Sequence, residues 1–392
     1  MPSPGSSLVH GRRLRHVHAA LARGASPPPV PSAVGSESGL PMVGVIDMEN
    51  KDGTIYAGDA SDSDTIELHA LAGTADVVYT GAASIEEVDP ELLAQMSGVL
   101  LRRCPFGEAQ LALLPKLKVI LRMGAGYDNV DTQACADAGV IACNCPDAWV
   151  EEVADSTACL LVALIRRTFD LANMVAGDAT GKSWTRQADL QQRGITRIRG
   201  MRLGIVGMGR IGTAVSQRAR AFGFDLSFYD PGIPAGAEKG FGGMTRYTSF
   251  TDLVANVDAV TFHCPLTDGP VVPGGPEGTR GMLNLETLPG PDHPGLFVVN
   301  CARGGIATED AIIQGLADGR LRGVALDSVD TEPTVSAALL EAQQGGAPLL
   351  ITPHAAFYSD EAFEEMRGLA AAEVGRILSG EPPQYQVNAH EF

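Results

Sequence analysis

From Met42 onward, short unbroken apolar runs alternate with stretches whose apolar residues recur at helical spacing. The runs 43–46, 77–79, 98–101, 119–121 and 140–142 are too short for helices and read as strands. Helical patterns lie between several of them, as at 90–96 and 109–114. An Ala-, Leu- and Val-rich pattern over 149–174 predicts one long helix, with its charges clustered at the ends. Such a helix suits a bridge between domains or a buried face in a dimer. A second series begins at 203–206, continues with a helix over 211–222, and adds strands at 226–230, 258–262, 297–300, 323–326 and 349–352. Thr308 is placed to cap a helix running to Asp318, and a final helix spans 360–378. Gly- and Pro-rich stretches at 267–279, 289–295 and 343–348 read as surface loops. Strands alternating with helices in two series predict an α/β chain with mostly parallel sheets covered on both faces.

The opening of the second series carries the clearest chemical signal. Gly207-Met208-Gly209-Arg210-Ile211-Gly212 follows a strand and opens a helix, and Asp230 ends the next strand 18 positions after Gly212. A G-x-G-x-x-G string alone is weak, but this context makes it a dinucleotide site. Gly207 permits the tight turn, Gly209 lets a pyrophosphate approach the backbone, and Gly212 lets the helix pack close to the sheet. The helix start offers free N–H groups and a partial positive charge. Asp230 can accept bonds from both ribose hydroxyls, and its charge repels a 2′-phosphate, which favours NAD over NADP.

Three further residues follow strand ends, where open parallel sheets place their sites. Arg303 lies in Asn300-Cys301-Ala302-Arg303-Gly304-Gly305, Glu332 lies beyond the strand that ends near Asp327, and His354 lies in Thr352-Pro353-His354-Ala355-Ala356-Phe357. Each alone is as well explained by a structural role. Together behind a dinucleotide fold they supply a guanidinium to grip a carboxylate, an imidazole proton donor, and an acid that keeps the imidazole charged and oriented. That set suits hydride exchange at the 2-position of a small hydroxy or keto acid.

These motifs, with Arg122-Met123-Gly124-Ala125-Gly126-Tyr127-Asp128-Asn129 and Val150-Glu151-Glu152-Val153-Ala154-Asp155-Ser156-Thr157, resemble the D-isomer-specific 2-hydroxyacid dehydrogenases over roughly residues 42–389. The nearer likeness is to the C-terminal-binding-protein branch, which includes transcriptional corepressors as well as bacterial dehydrogenases. The resemblance implies two Rossmann-like domains with a cleft between them. Residues 41–148 plus 355–392 would form a discontinuous substrate domain and 149–354 the NAD-binding domain. It implies His354 as proton donor, Glu332 as its partner and Arg303 as substrate clamp. Arg122, Gly124, Ala125 and Phe357 would line the acid. Besides the glycine motif and Asp230, the residues Cys264, Pro265, Leu266, Thr267, Cys301, Ala302 and Asp327 would touch NAD. For Asp327 a strand-end cap, and for Arg122 a surface ion pair, are the plain alternatives. Phe357 stands where the metazoan corepressors carry Trp, and the loop from Asp268 to Gly278 is longer than the family connection, so contacts there do not transfer. The branch also implies a homodimer and an alternative role as an NAD(H)-sensing corepressor that docks short peptide motifs of transcription factors.

Composition narrows the remaining classes. Twenty-nine basic against forty-seven acidic side chains give a net charge of −18, which disfavours direct contact with nucleic acid or anionic lipid. Seven cysteines without a CxxC pair indicate a reducing compartment. Cys143 and Cys145 form a C-x-C with no matching second pair, so buried thiols rather than a metal site are expected. No apolar run reaches the ~18 residues of a membrane span. A cytoplasmic location is expected, or a nuclear one under the corepressor reading. Residues 1–40 hold four arginines and no acid before Glu37. They fit an organelle transit peptide or, as preferred here, a flexible tail in which only 8–21 suits a short helix.

Overall fold

The computed structural model describes residues 38–48, 66–177, 184, 194–270 and 278–389. The expected tail helix at 8–21 and most of the 267–279 loop lie outside the described residues.

Among the described residues, two parallel sheets form. β1 (Met42–Val45), β2 (Asp76–Tyr79), β3 (Met96–Leu101), β4 (Val119–Arg122) and β5 (Ile141–Asn144) pair in the order β2-β1-β3-β4-β5. β6 (Arg202–Val206), β7 (Asp225–Tyr229), β8 (Thr245–Tyr247), β9 (Ala259–Phe262), β10 (Leu296–Asn300), β11 (Leu321–Leu326) and β12 (Leu349–Ile351) pair in the order β12-β11-β10-β9-β6-β7-β8. Both orders reverse direction once, between β1 and β3 and between β6 and β9, and such a reversal opens a crevice at the carboxyl ends of the strands. Each sheet carries an apolar core on both faces, which is why its strands read as unbroken apolar runs.

The last helix, Asp360–Leu378, packs on β3 and β4 of the first sheet and shares its core through Met366, Ala370 and Val374. The helix Val150–Arg166 lies against the second sheet and the helix Arg210–Ala221. Two bonds tie the chain's passages between the sheets together: Ser156 Oγ donates to the Ala356 carbonyl (3.0 Å) and Ser359 Oγ to Glu152 (3.0 Å).

The structure corrects several element bounds. The long helix expected over 149–174 is two, Val150–Arg166 and Thr168–Ala176, because Arg167 adopts a left-handed φ of 56°. A helical pattern cannot reveal one residue that leaves the helical region. The helix expected over 90–96 stops at Leu93, since fully buried Met96 is already pairing with Met42 in the sheet. The one expected over 109–114 is the short turn Glu108–Leu111. Thr308 does sit at the helix start, but its hydroxyl makes no capping bond. β8 was not foreseen; it is a three-residue edge strand without an apolar run.

Candidate active site

The carboxyl ends of β6, β7 and β9 open onto a solvent-connected cavity of about 160 Å³ at the second switch point. Gly207 (φ 88°) begins the turn after β6, and any Cβ there would lie 2.6 Å from the His263 carbonyl oxygen. A Cβ on Gly212 would sit 2.0 Å from the Gly207 carbonyl oxygen, so the helix reaches the sheet only because that atom is missing. Gly209 has nothing within 4 Å of its Cβ position, leaving the helix start open to a phosphate. Asp230 accepts the Met208 amide on Oδ2 (2.7 Å) and the Gly232 amide on Oδ1 (2.8 Å), so each oxygen keeps a lone pair for a ribose hydroxyl. Tyr229, Pro231, His263, Thr279 and Met282 also line this cavity, beside Cys264 and Pro265. No motif along the chain marks those five, because they converge only through sheet pairing. Burial pushes the His263 imidazole down to about 3, so it is neutral, and its Nδ1 has no partner among the described residues. These features fit a dinucleotide.

The other expected cofactor residues fall into two groups. Met208 and Ala302 bury their side chains in the apolar cores, and partly buried Ile211, Leu266 and Cys301 pack against them. Thr267 exchanges hydrogen bonds with Thr279 across the loop, and the Arg210 side chain reaches Asp147 (2.6 Å). Buried Asp327 binds the loop after β12. It accepts Thr352 Oγ1 (2.6 Å), the Ala355 amide (3.0 Å) and the Ala356 amide (2.9 Å). It thus fixes the loop that carries His354, as a strand-end carboxylate does.

That loop is strained at the residue of interest. His354 has a left-handed φ of 52°, uncommon for a non-glycine and costly by about 1–3 kcal/mol. Its Nδ1 lies 2.8 Å from Glu332 Oε2, while Glu332 Oε1 accepts the Val329 amide (3.0 Å). The imidazole is 43% exposed and leaves Nε2 for a substrate. Partial burial works to raise the Glu332 carboxyl, but the bond and charge of His354, the Val329 amide and the Arg303 charge outweigh it. Glu332 is held below the ordinary carboxylate range and is ionised at neutral pH.

Two guanidinium groups lie flat on the glycine loop after β4. A Cβ on Gly124 would meet Arg122 Nη1 at 1.8 Å, and one on Gly126 would meet Arg303 Nη2 at 1.5 Å. Arg122 donates from Nη1 to the Met123 carbonyl (3.2 Å), and its buried Nε has no partner among the described residues. Burial, then the charges of Arg303 and Arg102, outweigh the nearby carboxylates of Asp128 and Asp47 and push Arg122 down to about 10, so it stays cationic. Arg303 reaches across from the second sheet to Asp128, donating Nε (3.0 Å) and Nη2 (2.8 Å) to the same oxygen. Asp128 therefore holds the fork that a substrate carboxylate would take, and Arg122 is the better prepared donor. Ala125 packs on the first core, and Phe357 stacks edge-on against Trp149 (4.9 Å) and His354 (6.3 Å). Gly126, Asp128, Trp149 and Arg102 were not singled out as site residues, since their nearness to the rest is long-range.

Cys143 and Cys145 are buried in the first core. Burial pushes the Cys145 thiol up to about 12 and the Cys143 thiol higher still. Among the described residues, no group of three His, Cys, Asp or Glu is placed to hold a metal, and no helix is long and apolar enough to cross a membrane.

Residues 158–356 match the family model of the D-isomer specific 2-hydroxyacid dehydrogenase, NAD binding domain. The chain is similar to C-terminal-binding protein 1 of Caenorhabditis elegans, 32% identical over 327 residues that make up 82% of this chain and 42% of that protein. It is 33% identical to D-3-phosphoglycerate dehydrogenase of Bacillus subtilis over 276 residues, 70% of this chain and 48% of that one. The chain spans about half the length of the curated relatives it matches. Among solved structures, D-mandelate dehydrogenase of Rhodotorula graminis shares the fold at a TM-score of 0.73 and 22% identity, covering 89% of this chain and 98% of that one. The NADPH-dependent glyoxylate/hydroxypyruvate reductase of Sinorhizobium meliloti does so at 0.68 and 24%, covering 88% and 97%.

Proposed function

Because the chain belongs to the D-isomer-specific 2-hydroxyacid dehydrogenases, we propose that it interconverts a small D-2-hydroxy acid and its 2-oxo acid with NAD(H). The observation that carries this reading is the His354–Glu332 pair together with an Arg303 whose charge acts on both Glu332 and Arg122. Bound NADH supplies the hydride. His354 donates the proton from Nε2 to the carbonyl oxygen, and Glu332 holds the ring by Nδ1 and stabilises its charge. Arg122 receives the carboxylate, and Arg303 polarises the carbonyl once its fork exchanges Asp128 for substrate. Asp327 is a positioning residue that fixes the backbone on which His354 stands. The glycine loop 207–212 and Asp230 hold the pyrophosphate and the adenosine ribose. The reading is tested by a panel of small 2-oxo acids with NADH consumption as the readout. Tight NADH binding without turnover of any acid would count against it.

Arg303→Lys keeps the charge but loses the planar fork. It should lower kcat/KM by about 1–3 kcal/mol of transition-state binding, the cost of a charged hydrogen bond. Normal kinetics in this variant would remove Arg303 from the clamp. Asp230→Ala should weaken the preference for NADH over NADPH by about tenfold, or ~1.4 kcal/mol, measured as the ratio of the two dissociation constants. An unchanged ratio would place cofactor choice elsewhere.

The likeness to the nematode C-terminal-binding protein favours a second reading, an NAD(H)-sensing corepressor acting through peptide motifs. Capture of short hydrophobic-acidic peptides by the NADH-bound protein, with no turnover of any acid, would favour it. In either reading we place a second copy on the helices Val150–Arg166 and Thr168–Ala176, whose Phe169 and Val175 are exposed. Sedimentation should show a dimer, and a monomer at micromolar concentration would contradict this placement.

A further inference from the structure

Trp149 has no step in the proposed reaction, yet its backbone is held as unusually as that of His354. Four non-glycine residues among those described adopt a left-handed φ, and His354 (52°) and Trp149 (72°) are two of them. A bulky residue keeps such a φ only where its surroundings impose it, and that strain gathers at ligand sites. Both rings meet Phe357, Trp149 at 4.9 Å between centroids and His354 at 6.3 Å. A continuous row of rings therefore runs from the proton donor to Trp149. At its far end stands the glycine loop after β4. The Cys145 amide donates to the Gly124 carbonyl (2.9 Å) and Asn144 Nδ2 to the Ala125 carbonyl (2.7 Å), which fastens that loop to the turn leading into Trp149. A Cβ on Gly124 would meet Arg122 Nη1 at 1.8 Å and Trp149 Nε1 at 3.2 Å. Two N–H donors thus converge over the space that a side chain would fill.

The indole donor is unspent. Trp149 is 7% exposed, and its side chain donates to no acceptor among the described residues. A buried indole ordinarily finds a partner for this group. Buried Arg122 Nε is likewise without one among the described residues. A carboxylate, with two oxygens and about four acceptor sites, can take bonds from both side chains. An uncharged donor also suits the position. The charges of Arg303 and Arg102 already work against the Arg122 guanidinium, and an N–H adds grip on an anion without adding another cation.

We infer that Trp149 is a substrate-binding residue whose indole N–H joins Arg122 in holding the carboxylate of the 2-oxo acid over Gly124. The inference rests on the dehydrogenase reading and adds a neutral donor to its carboxylate subsite. No bond changes at Trp149; the residue binds the carboxylate while reduction occurs at C2.

The chain has two tryptophans, so protein carrying nitrogen-15-labelled tryptophan gives two indole N–H signals, and Trp184→Phe leaves that of Trp149. Oxamate, an unreactive analogue of a 2-oxo acid, is added to the NADH complex. The Trp149 indole proton should move downfield as its N–H gains a charged acceptor. Trp149→Phe keeps a ring against Phe357 but loses the donor. It should weaken oxamate binding by about tenfold or more, the worth of a charge-assisted hydrogen bond. It should raise KM for 2-oxo acids by a similar factor and leave kcat and the dissociation constant of NADH nearly unchanged. A stationary indole signal in the oxamate complex overturns the inference, and this measurement needs no Trp149 variant to fold. Unchanged oxamate affinity in Trp149→Phe overturns it as well, and so does a loss confined to kcat, which would show a structural role. Failure of oxamate to bind the NADH complex also overturns it. If no acid is reduced although NADH binds, the dehydrogenase reading has failed, and the indole signal and oxamate affinity still decide the carboxylate subsite in the same sense.

Discussion

Replacing His354 with Ala should lower kcat by about 10²- to 10⁴-fold, the usual contribution of a positioned general acid–base group. The dissociation constant of NADH should barely move. The imidazole faces the cleft through Nε2, is oriented by Glu332 at 2.8 Å, and is absent from the lining of the adenosine cavity. Its strained backbone is held by Asp327, not by the ring, so removing the ring leaves the loop anchored. Glu332→Gln should cost less, because Gln can still accept from Nδ1 but no longer supplies a charge to stabilise the protonated ring. Single-turnover rates and a fluorescence titration with NADH separate the two effects. Turnover at the wild-type rate in His354→Ala would exclude His354 as the proton donor.

Replacing Arg367 with Leu should destabilise the fold by about 3–5 kcal/mol, the cost of leaving a buried charge without its partner. Glu67 is fully buried, and its carboxylate receives Arg367 Nε and Nη2, each at 2.7 Å, together with the Tyr79 hydroxyl at 2.7 Å. In Arg367→Leu the Tyr79 bond remains but the opposite charge is gone. The double replacement Glu67→Leu with Arg367→Leu should recover much of the loss, since apolar groups of similar size remove the desolvation penalty at both ends. The pair joins the helix Ile66–Ala70 to Asp360–Leu378, the helix that follows the His354 loop. Local loosening there should therefore reduce turnover before the second sheet unfolds. Urea denaturation followed by tryptophan fluorescence reads the stability, because Trp149 belongs to the same core. A change below about 1 kcal/mol in the single variant would mean that water reaches Glu67 and solvates it.

Much of this arrangement is legible in the sequence because parallel strands buried on both faces leave unbroken apolar runs. The glycine motif is equally plain, since its three glycines answer separate steric demands, at a positive φ, an open helix start and a 2.0 Å approach. His354, Glu332 and Arg303 stand out along the chain because sites in such folds follow strand ends. Arg167 shows where this reasoning stops: one left-handed residue breaks a helix without disturbing its apolar period. Asp327 shows the second limit, as a carboxylate after a strand reads alike whether it meets a ligand or binds three donors of a neighbouring loop. Asp128 marks the third. Its importance lies in holding Arg303, which reaches it from the second sheet, and spacing along a chain carries no trace of that.

Hydride should reach C2 of an acid whose carbonyl oxygen is protonated by His354. NADH deuterated at the transferable position, supplied together with 2-oxo acids, shows this in the isolated product. The expected product is a D-2-hydroxy acid carrying one deuteron at C2, formed by the wild type and lost with His354→Ala. An L-configured product, or no label transferred to any acid by protein that binds NADH, would contradict it.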